Sequence, residues 1–450
     1  MSLISRLIAL RDTKVADSNA LNHYLPIRGK NNTIEYRSVA GNVLGMLIGR
    51  ELDPKRYSFN EFKEKCLDEL GGLLTDEAML DHIEQMYFRN DALNSASPEF
   101  LLLGCLGSET AASKNLGRIF RSFLAQAGQH SELKSKANFI EQIFINVLQN
   151  YLTKPGGKDA SKEKIEHPYL PFMTEAFVKD IHFLSSKTEY LLSHFEDFLQ
   201  LYNFLYCAQL ALNIRNWTNG VPKSQLLYFI LDTEKASMER SQIQQYGYSS
   251  LYRSVGAVFP ILSMLDNFNK QGDGSAFPLW SYGEALNTEQ YDADEVSAIL
   301  EEYAEKFRQK RQIQPRQAEE DTPVGQMRLL INYSLDQFEP VRYRVKAHRH
   351  EIRDAYQKQF EEHIAKHFMQ VRGRSGRVLV MNQDYLLLLT NIAIGSKRQL
   401  RFQELLKEFR ARGVYFDKQS EKALITFFER VGNVDRMSDS GDAVYVRSTI

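Results

Sequence analysis

Only three cysteines, Cys66, Cys105 and Cys207, occur in 450 residues, and no two share a CxxC spacing. An odd and scattered set makes a disulfide framework or a structural zinc ribbon a poor reading, and it fits a reducing compartment. Long apolar runs are missing as well. A spanning helix needs roughly 18 uninterrupted apolar residues, and no such stretch is present. The opening MSLISRLIALRDTK is broken by Arg6 and Arg11 and reads as neither leader nor anchor. The expectation is a soluble, cytoplasmic chain with no membrane partner.

An excess of one charge is also absent. Fifty-six Lys and Arg face 57 Asp and Glu, a formal net of −1. A protein that coats DNA by bulk positive charge is thereby excluded, although a locally basic one is not. The phosphate-binding signatures are lacking too: no GxxxxGK[ST], no GxGxxG after a strand, no GxSxG and no HExxH. Gly395-Ser396-Lys397 has the end of a phosphate loop without its first glycine. The motif survey predicts no ATP hydrolysis by this chain alone, no cofactor and no metal, and favours a non-enzymatic role.

The composition that is present is ordinary for a globular protein: 43% hydrophobic, 25% charged and 11% aromatic. Helical periodicity dominates. Gly41, Gly45 and Gly49 recur every fourth residue, placing a small-residue face on a helix. Ser97-Pro98-Glu99 is a helix start, and Asp292 with Glu295 is a capping pattern. Residues 139–152 and 188–214 carry aromatic and aliphatic stripes at spacings of three and four. Polar breaks at 153–168, 269–283 and 312–324 read as loops or linkers. The predicted fold class is mainly α, a multi-helical body with a C-terminal winged-helix-like domain of three helices and a β-hairpin. The predicted units are a helical N-terminal domain (1–152), a helical middle domain (169–311), a basic helical connector (325–381) and the winged-helix-like domain (382–450).

Charge is unevenly placed. Residues 341–377 hold ten Lys and Arg against four acids, a net of +6. Residues 341–450 together carry +8, which leaves −9 for the first 340. VRYRVKAHRH alternates Arg342, Arg344 and Lys346 and continues to Arg349 and Arg353, while RGRSGR sets Arg372, Arg374 and Arg377 around glycines. Guanidinium groups on such segments suit phosphate contacts that do not read sequence. These residues, with Lys418 and Lys422, are the candidate contacts to double-stranded DNA.

The C-terminal segment orders its elements as a winged helix does. NQDYLLLLTNIAIG is a first helix, Leu400-Arg401-Phe402 a short strand, and QELLKEFRARG a second helix stopped by Gly413. Asp417 caps a third helix, KQSEKALITFFERVG, and two strands flank Ser438-Asp439-Ser440-Gly441. The third helix is the candidate recognition helix. Yet Lys418, Lys422 and Arg430 are balanced by Asp417, Glu421 and Glu429, so docking on a partner protein fits as well as base reading.

The ending from Arg412 to Ile450 resembles the C-terminus of the DptG family of bacterial DNA phosphorothioation-dependent restriction proteins. The resemblance is carried by Arg412-Gly413, Phe416-Asp417, Glu429-Arg430, Met437-Ser438-Asp439-Ser440-Gly441-Asp442-Ala443 and Tyr445-Val446. It implies an accessory or scaffold subunit of a restriction complex, working beside a translocase-type ATPase against DNA without sulfur in its backbone. It implies no catalytic residue at any of these positions.

Three other chemistries stand beside this reading. Asp53, Glu61 and Lys63 could hold a divalent metal and activate water, which makes a metal-dependent nuclease the first alternative. That chemistry needs the carboxylates on adjacent strands, whereas LDPKRYSFNEFKEK reads as a turn and a helix. His363 and His367 lie one helical turn apart beside a stripe of Ile352, Tyr356, Phe360, Ile364 and Phe368, with no third zinc ligand in view. LLYFILD, residues 226–232, is a buried apolar run ending in Asp232, a place where metal-assisted phosphate chemistry can sit. A free-standing winged-helix regulator is the second alternative.

Overall fold

The stripe across 188–214 becomes one long helix, Thr188–Asn213, buried along nearly its whole second half in the computed structural model. Burial on all sides explains the absence of a polar face there. Tyr248–Asn269 lies against it, and the pair forms the axis of the molecule. Ala293–Arg311 and Pro323–Asp336 pack along each other, and Pro171–Ser185 and Tyr36–Ile48 close other sides of the central helix. Described residues are 2–29, 32–53, 55–74, 76–89, 92–106, 109–127, 133, 137–154, 166–237, 239–343, 349–437 and 443–450.

The protein is mainly helical, with small sheets. One hydrophobic core runs from Ile4 to Val446 and draws on all four predicted segments. A second, smaller core holds Leu52, Phe62, Phe100, Phe144 and Tyr151 within the first of them. No helix among the described residues is long and apolar enough to cross a membrane.

Helix ends follow their expected chemistry. Asp292 accepts from the Glu295 amide at 3.1 Å and starts Ala293–Arg311, and Asp417 accepts from Ser420 at 2.9 Å. Two local expectations change. Gly49 is not on the helix face; it ends Tyr36–Ile48 in the left-handed region at φ 64°, a conformation that glycine adopts without strain. Pro98–Leu106 is a 3₁₀ run. It presses on Tyr36–Ile48 so closely that a Cβ on Gly41 would meet the Leu101 carbonyl oxygen at 2.6 Å.

The apolar run around 228 is a strand, Tyr228–Leu231, buried on both faces. It sits inside a four-stranded sheet ordered Met369–Val371, Arg377–Met381, Tyr228–Leu231, Tyr415–Phe416. The first pair is antiparallel and the other two are parallel, with Ile230 opposite Val380 and Tyr228 opposite Tyr415. Parallel strands need both faces covered, which accounts for the unbroken apolar run.

The C-terminal segment has the predicted order: helix Gln383–Ile394, strand Gln399–Arg401, helix Phe402–Ala411, helix Lys418–Val431, strands Val434–Met437 and Ala443–Arg447. The last two pair antiparallel, and Gln399–Arg401 joins the far edge of Ala443–Arg447. The tight turn at Ser438-Asp439-Ser440-Gly441 lies outside the described residues. Tyr415–Phe416, between the second and third helices, belongs to the body's parallel sheet.

Candidate nucleic-acid and partner interface

The winged-helix segment is held to the body at two buried ion pairs. Arg240 reaches Asp417 through Nε at 2.8 Å and Nη2 at 2.5 Å, and reaches Glu234 through Nη1 at 3.0 Å. Arg240 Nη2 also donates to Ser420 Oγ at 2.7 Å, and Ser420 Oγ donates to Glu234 at 2.8 Å. The Leu231 amide donates to the same carboxylate at 2.8 Å. Burial alone pushes the Asp417 carboxyl up, but the Arg240 guanidinium and the Ser420 amide outweigh it and hold the carboxyl below its ordinary range. Both acids stand just past the ends of parallel strands, where α/β sheets often bind ligands. Here that position is filled by a side chain of the protein.

The second pair is deeper. Arg412 donates to Asp180 through Nε at 2.7 Å and Nη2 at 2.6 Å, with side chains 1% and 0% exposed. Tyr202, on the central helix, donates to the same carboxylate at 2.5 Å, and Arg412 also reaches Glu408 at 2.9 Å. Burial opposes the arginine's charge, yet Asp180 outweighs it and the net shift of Arg412 is upward. Gly413 follows at φ 82°, and a Cβ there would meet Gln209 Nε2 at 2.6 Å. The chain can turn back into the sheet at this point because the residue is glycine.

These anchors decide what the third helix can present. Asp417 and Ser420, at its start, are buried against Arg240 of the body, and Glu421 is buried beside Arg410 of the preceding helix. A recognition helix contacts base edges through its N-terminal residues; here one side of that end is buried, while Lys418, Gln419 and Lys422 on the other side are exposed. The outward face keeps Lys418, Lys422 and Arg430. Lys418 is paired with Glu421 at 2.6 Å, and Lys422 is exposed.

The basic stretch is largely occupied with its own surroundings. Arg342 binds Asp336 at 3.1 Å and the carbonyl of Gln314 at 3.3 Å. Arg349 donates to the Arg311 carbonyl at 2.6 Å, and Arg353 pairs with Glu339 and Asp354. Arg372 donates to the Asp232 carbonyl at 2.6 Å, and Arg377 stands 3.6 Å from Glu361. Arg374 is exposed, in the short turn Gly373–Ser375. Arg344 and Lys346 lie outside the described residues. Charge counting along the chain could not foresee that acids from other elements would meet these arginines.

The residues for the nuclease alternative do not converge. Asp53 accepts from the Lys55 amide at 3.0 Å, Glu61 pairs with Lys65 at 2.7 Å and Lys63 with Glu84 at 2.9 Å. Glu61 and Lys63 stand on a helix, Phe59–Gly71, rather than on a strand. No group of three or more His, Cys, Asp and Glu side chains among the described residues could hold a metal ion, the surroundings of His363 and His367 included. Ile352, expected in the core stripe of that region, is 49% exposed, while Tyr356, Phe360, Ile364 and Phe368 are buried.

Positive charge without acids in its lining gathers elsewhere. Lys187, Lys397, Arg398 and Arg447 line one cleft of about 420 Å³ between the body and the wing. Lys187, Lys397 and Arg398 are exposed and form no ion pair among the described residues. No sequence pattern joins them; the only signal was the incomplete phosphate loop at 395–397. Compared with known proteins, the chain matches no family model and no curated sequence.

Proposed function

We propose that this protein is a non-enzymatic adaptor that presents a winged-helix module in one fixed pose to partner subunits and to duplex DNA. The setting suggested by the resemblance of its C-terminal residues is a bacterial phosphorothioation-dependent restriction complex, with a translocase-type ATPase as the partner. The observation that carries the reading is the double anchor, Arg240 with Asp417 and Arg412 with Asp180. Buried ion pairs recover little net stability once desolvation is counted, and their best-attested use is to fix geometry. The anchors grip the inner side of the third helix's start and leave Lys418, Gln419 and Lys422 on its outer side exposed. An adaptor that must hold a docking face at a set distance from its other contacts benefits from such anchors.

Co-expression with a candidate ATPase partner, followed by purification through this chain, tests the reading. The expected result is a stable complex in size-exclusion chromatography. A chain that never co-elutes with such a partner, or that alone hydrolyses ATP or cleaves plasmid with magnesium, overturns it.

A further inference from the structure

We infer that the cleft between wing and body is a binding site for backbone phosphates of a nucleic-acid strand, with Lys187, Lys397, Arg398 and Arg447 as its ligating cations. The inference rests on the DNA contact included in the adaptor reading and gives it a location.

Three elements build the cleft. Pro171–Ser185 ends beneath it and passes to Ser186 and Lys187. Gln383–Ile394 ends at Gly395, φ 59°, and turns through Ser396, Lys397 and Arg398 into the edge strand of the wing. The last strand supplies Arg447 and continues to Ser448. Asn391, 1% exposed, holds that tail: its Oδ1 accepts from the Thr449 amide at 3.0 Å and from Ser448 Oγ at 3.2 Å. The walls are therefore set before any ligand arrives, which lowers the ordering cost of binding.

The lining contains four cations, three serines and no Asp or Glu side chain. Arg447 is 3.3 Å from Asp435 outside the lining, and Ile450 stands at the rim. Counting Asp435 still leaves positive charge in excess. Like charges lining one cleft repel each other, and an anion between them relieves that repulsion. Ser186 and Ser448 donate their hydroxyl protons to the Phe183 carbonyl and to Asn391, so the donors on offer to phosphate oxygens are chiefly the lysine and arginine nitrogens, with the Ser396 hydroxyl.

The wing extends the same chemistry. The register places Gln399, Arg401, Tyr445 and Arg447 on one face of the sheet, while Leu400 and Val446 point into the core. Arg401 lies over the Tyr445 ring at 5.7 Å and donates to its hydroxyl at 2.8 Å, which presents a guanidinium beside the cleft. A row of cations suits successive phosphates of a strand. The cleft offers only Phe183, 8% exposed, and Ile450 as apolar lining, so it has no aromatic slot for a base. This favours a polymer backbone over a free nucleotide and contact without base reading.

Binding of a fluorescein-labelled duplex to the full chain, followed by anisotropy over a salt series, tests the site. The triple variant Lys187→Gln, Lys397→Gln, Arg398→Gln should lose about tenfold or more in affinity near 0.1 M salt. Its plot of log K against log salt should be shallower by about 2 to 3, at roughly 0.9 per phosphate contact. Ser396→Glu, which puts an acid into the cleft without removing a cation, should weaken binding in the same direction. The paired residues give the comparison: Arg353→Gln with Arg377→Gln should leave affinity and slope unchanged. An unchanged slope in the triple variant overturns the assignment. So does a parent chain that takes up inorganic phosphate at this cleft while ignoring duplex. Co-purification of the triple variant with the ATPase partner separates this site from the adaptor reading, because loss of DNA affinity with the complex intact leaves the adaptor reading standing.

Discussion

Asp180 is fully buried and accepts three charge-bearing or hydroxyl donors from Arg412 and Tyr202. Its removal would leave the buried Arg412 guanidinium with only the part-exposed Glu408 as an acid partner. Asp180→Ala is therefore expected to cost about 3 kcal/mol, at the lower end for breaking a buried pair, read from urea denaturation, because the remaining Glu408 compensates the charge only in part. Gly413→Ala should be destabilising through both its left-handed backbone and its approach to Gln209, by about 1–3 kcal/mol or more. Asp417 supplies a pH dependence. Its carboxyl is driven up by burial but held below the ordinary range by Arg240 and Ser420. The folded state therefore binds that proton more weakly than the unfolded chain. Its stabilisation is complete above the ordinary carboxylate range and disappears as pH falls through the lowered value of the folded state. Denaturation midpoints measured across the acid limb should fall less steeply in Asp417→Asn than in the parent; equal slopes would assign the acid sensitivity to other groups.

At the level of elements, periodicity and capping chemistry are local, and they were legible. The long stripes became helices, Asp292 and Asp417 became caps, and the short run at 228 became a strand. The 3₁₀ geometry of Pro98–Leu106 was not legible, since it comes from the close approach of another helix at Gly41. Gly41→Leu should therefore force the two elements apart and lower the thermal midpoint, at a cost of about 1–3 kcal/mol typical of overpacking. The basic stretch shows the same limit more sharply. Arg342 and Arg353 meet Asp336 and Glu339 from the end of a preceding helix and its loop. Arg342→Gln with Arg353→Gln is expected to shift stability modestly, because the buried Asp336 keeps its pair with Arg316 and Glu339 is half exposed, and to leave the salt dependence of DNA binding where it was.

For the molecule as a whole, one core spans nearly the full chain, and the winged-helix segment shares a sheet with the body through Tyr415–Phe416. Cleavage by a dilute protease should consequently not release residues 382–450 as a stable fragment from the parent, but should do so more readily from Asp180→Ala. What the sequence by itself determined is the helical class, the order of the C-terminal elements and the uneven spread of charge, because spacing, caps and composition act over a few residues. What only the tertiary structure decided is which charges are spent and which are free. Arg240 and Arg412 find acids from distant segments and vanish into the interior, whereas Lys187 and Lys397 are carried to one cleft with no acid side chain lining it. Ion pairing depends on distance in space, and no pattern along the chain encodes that distance.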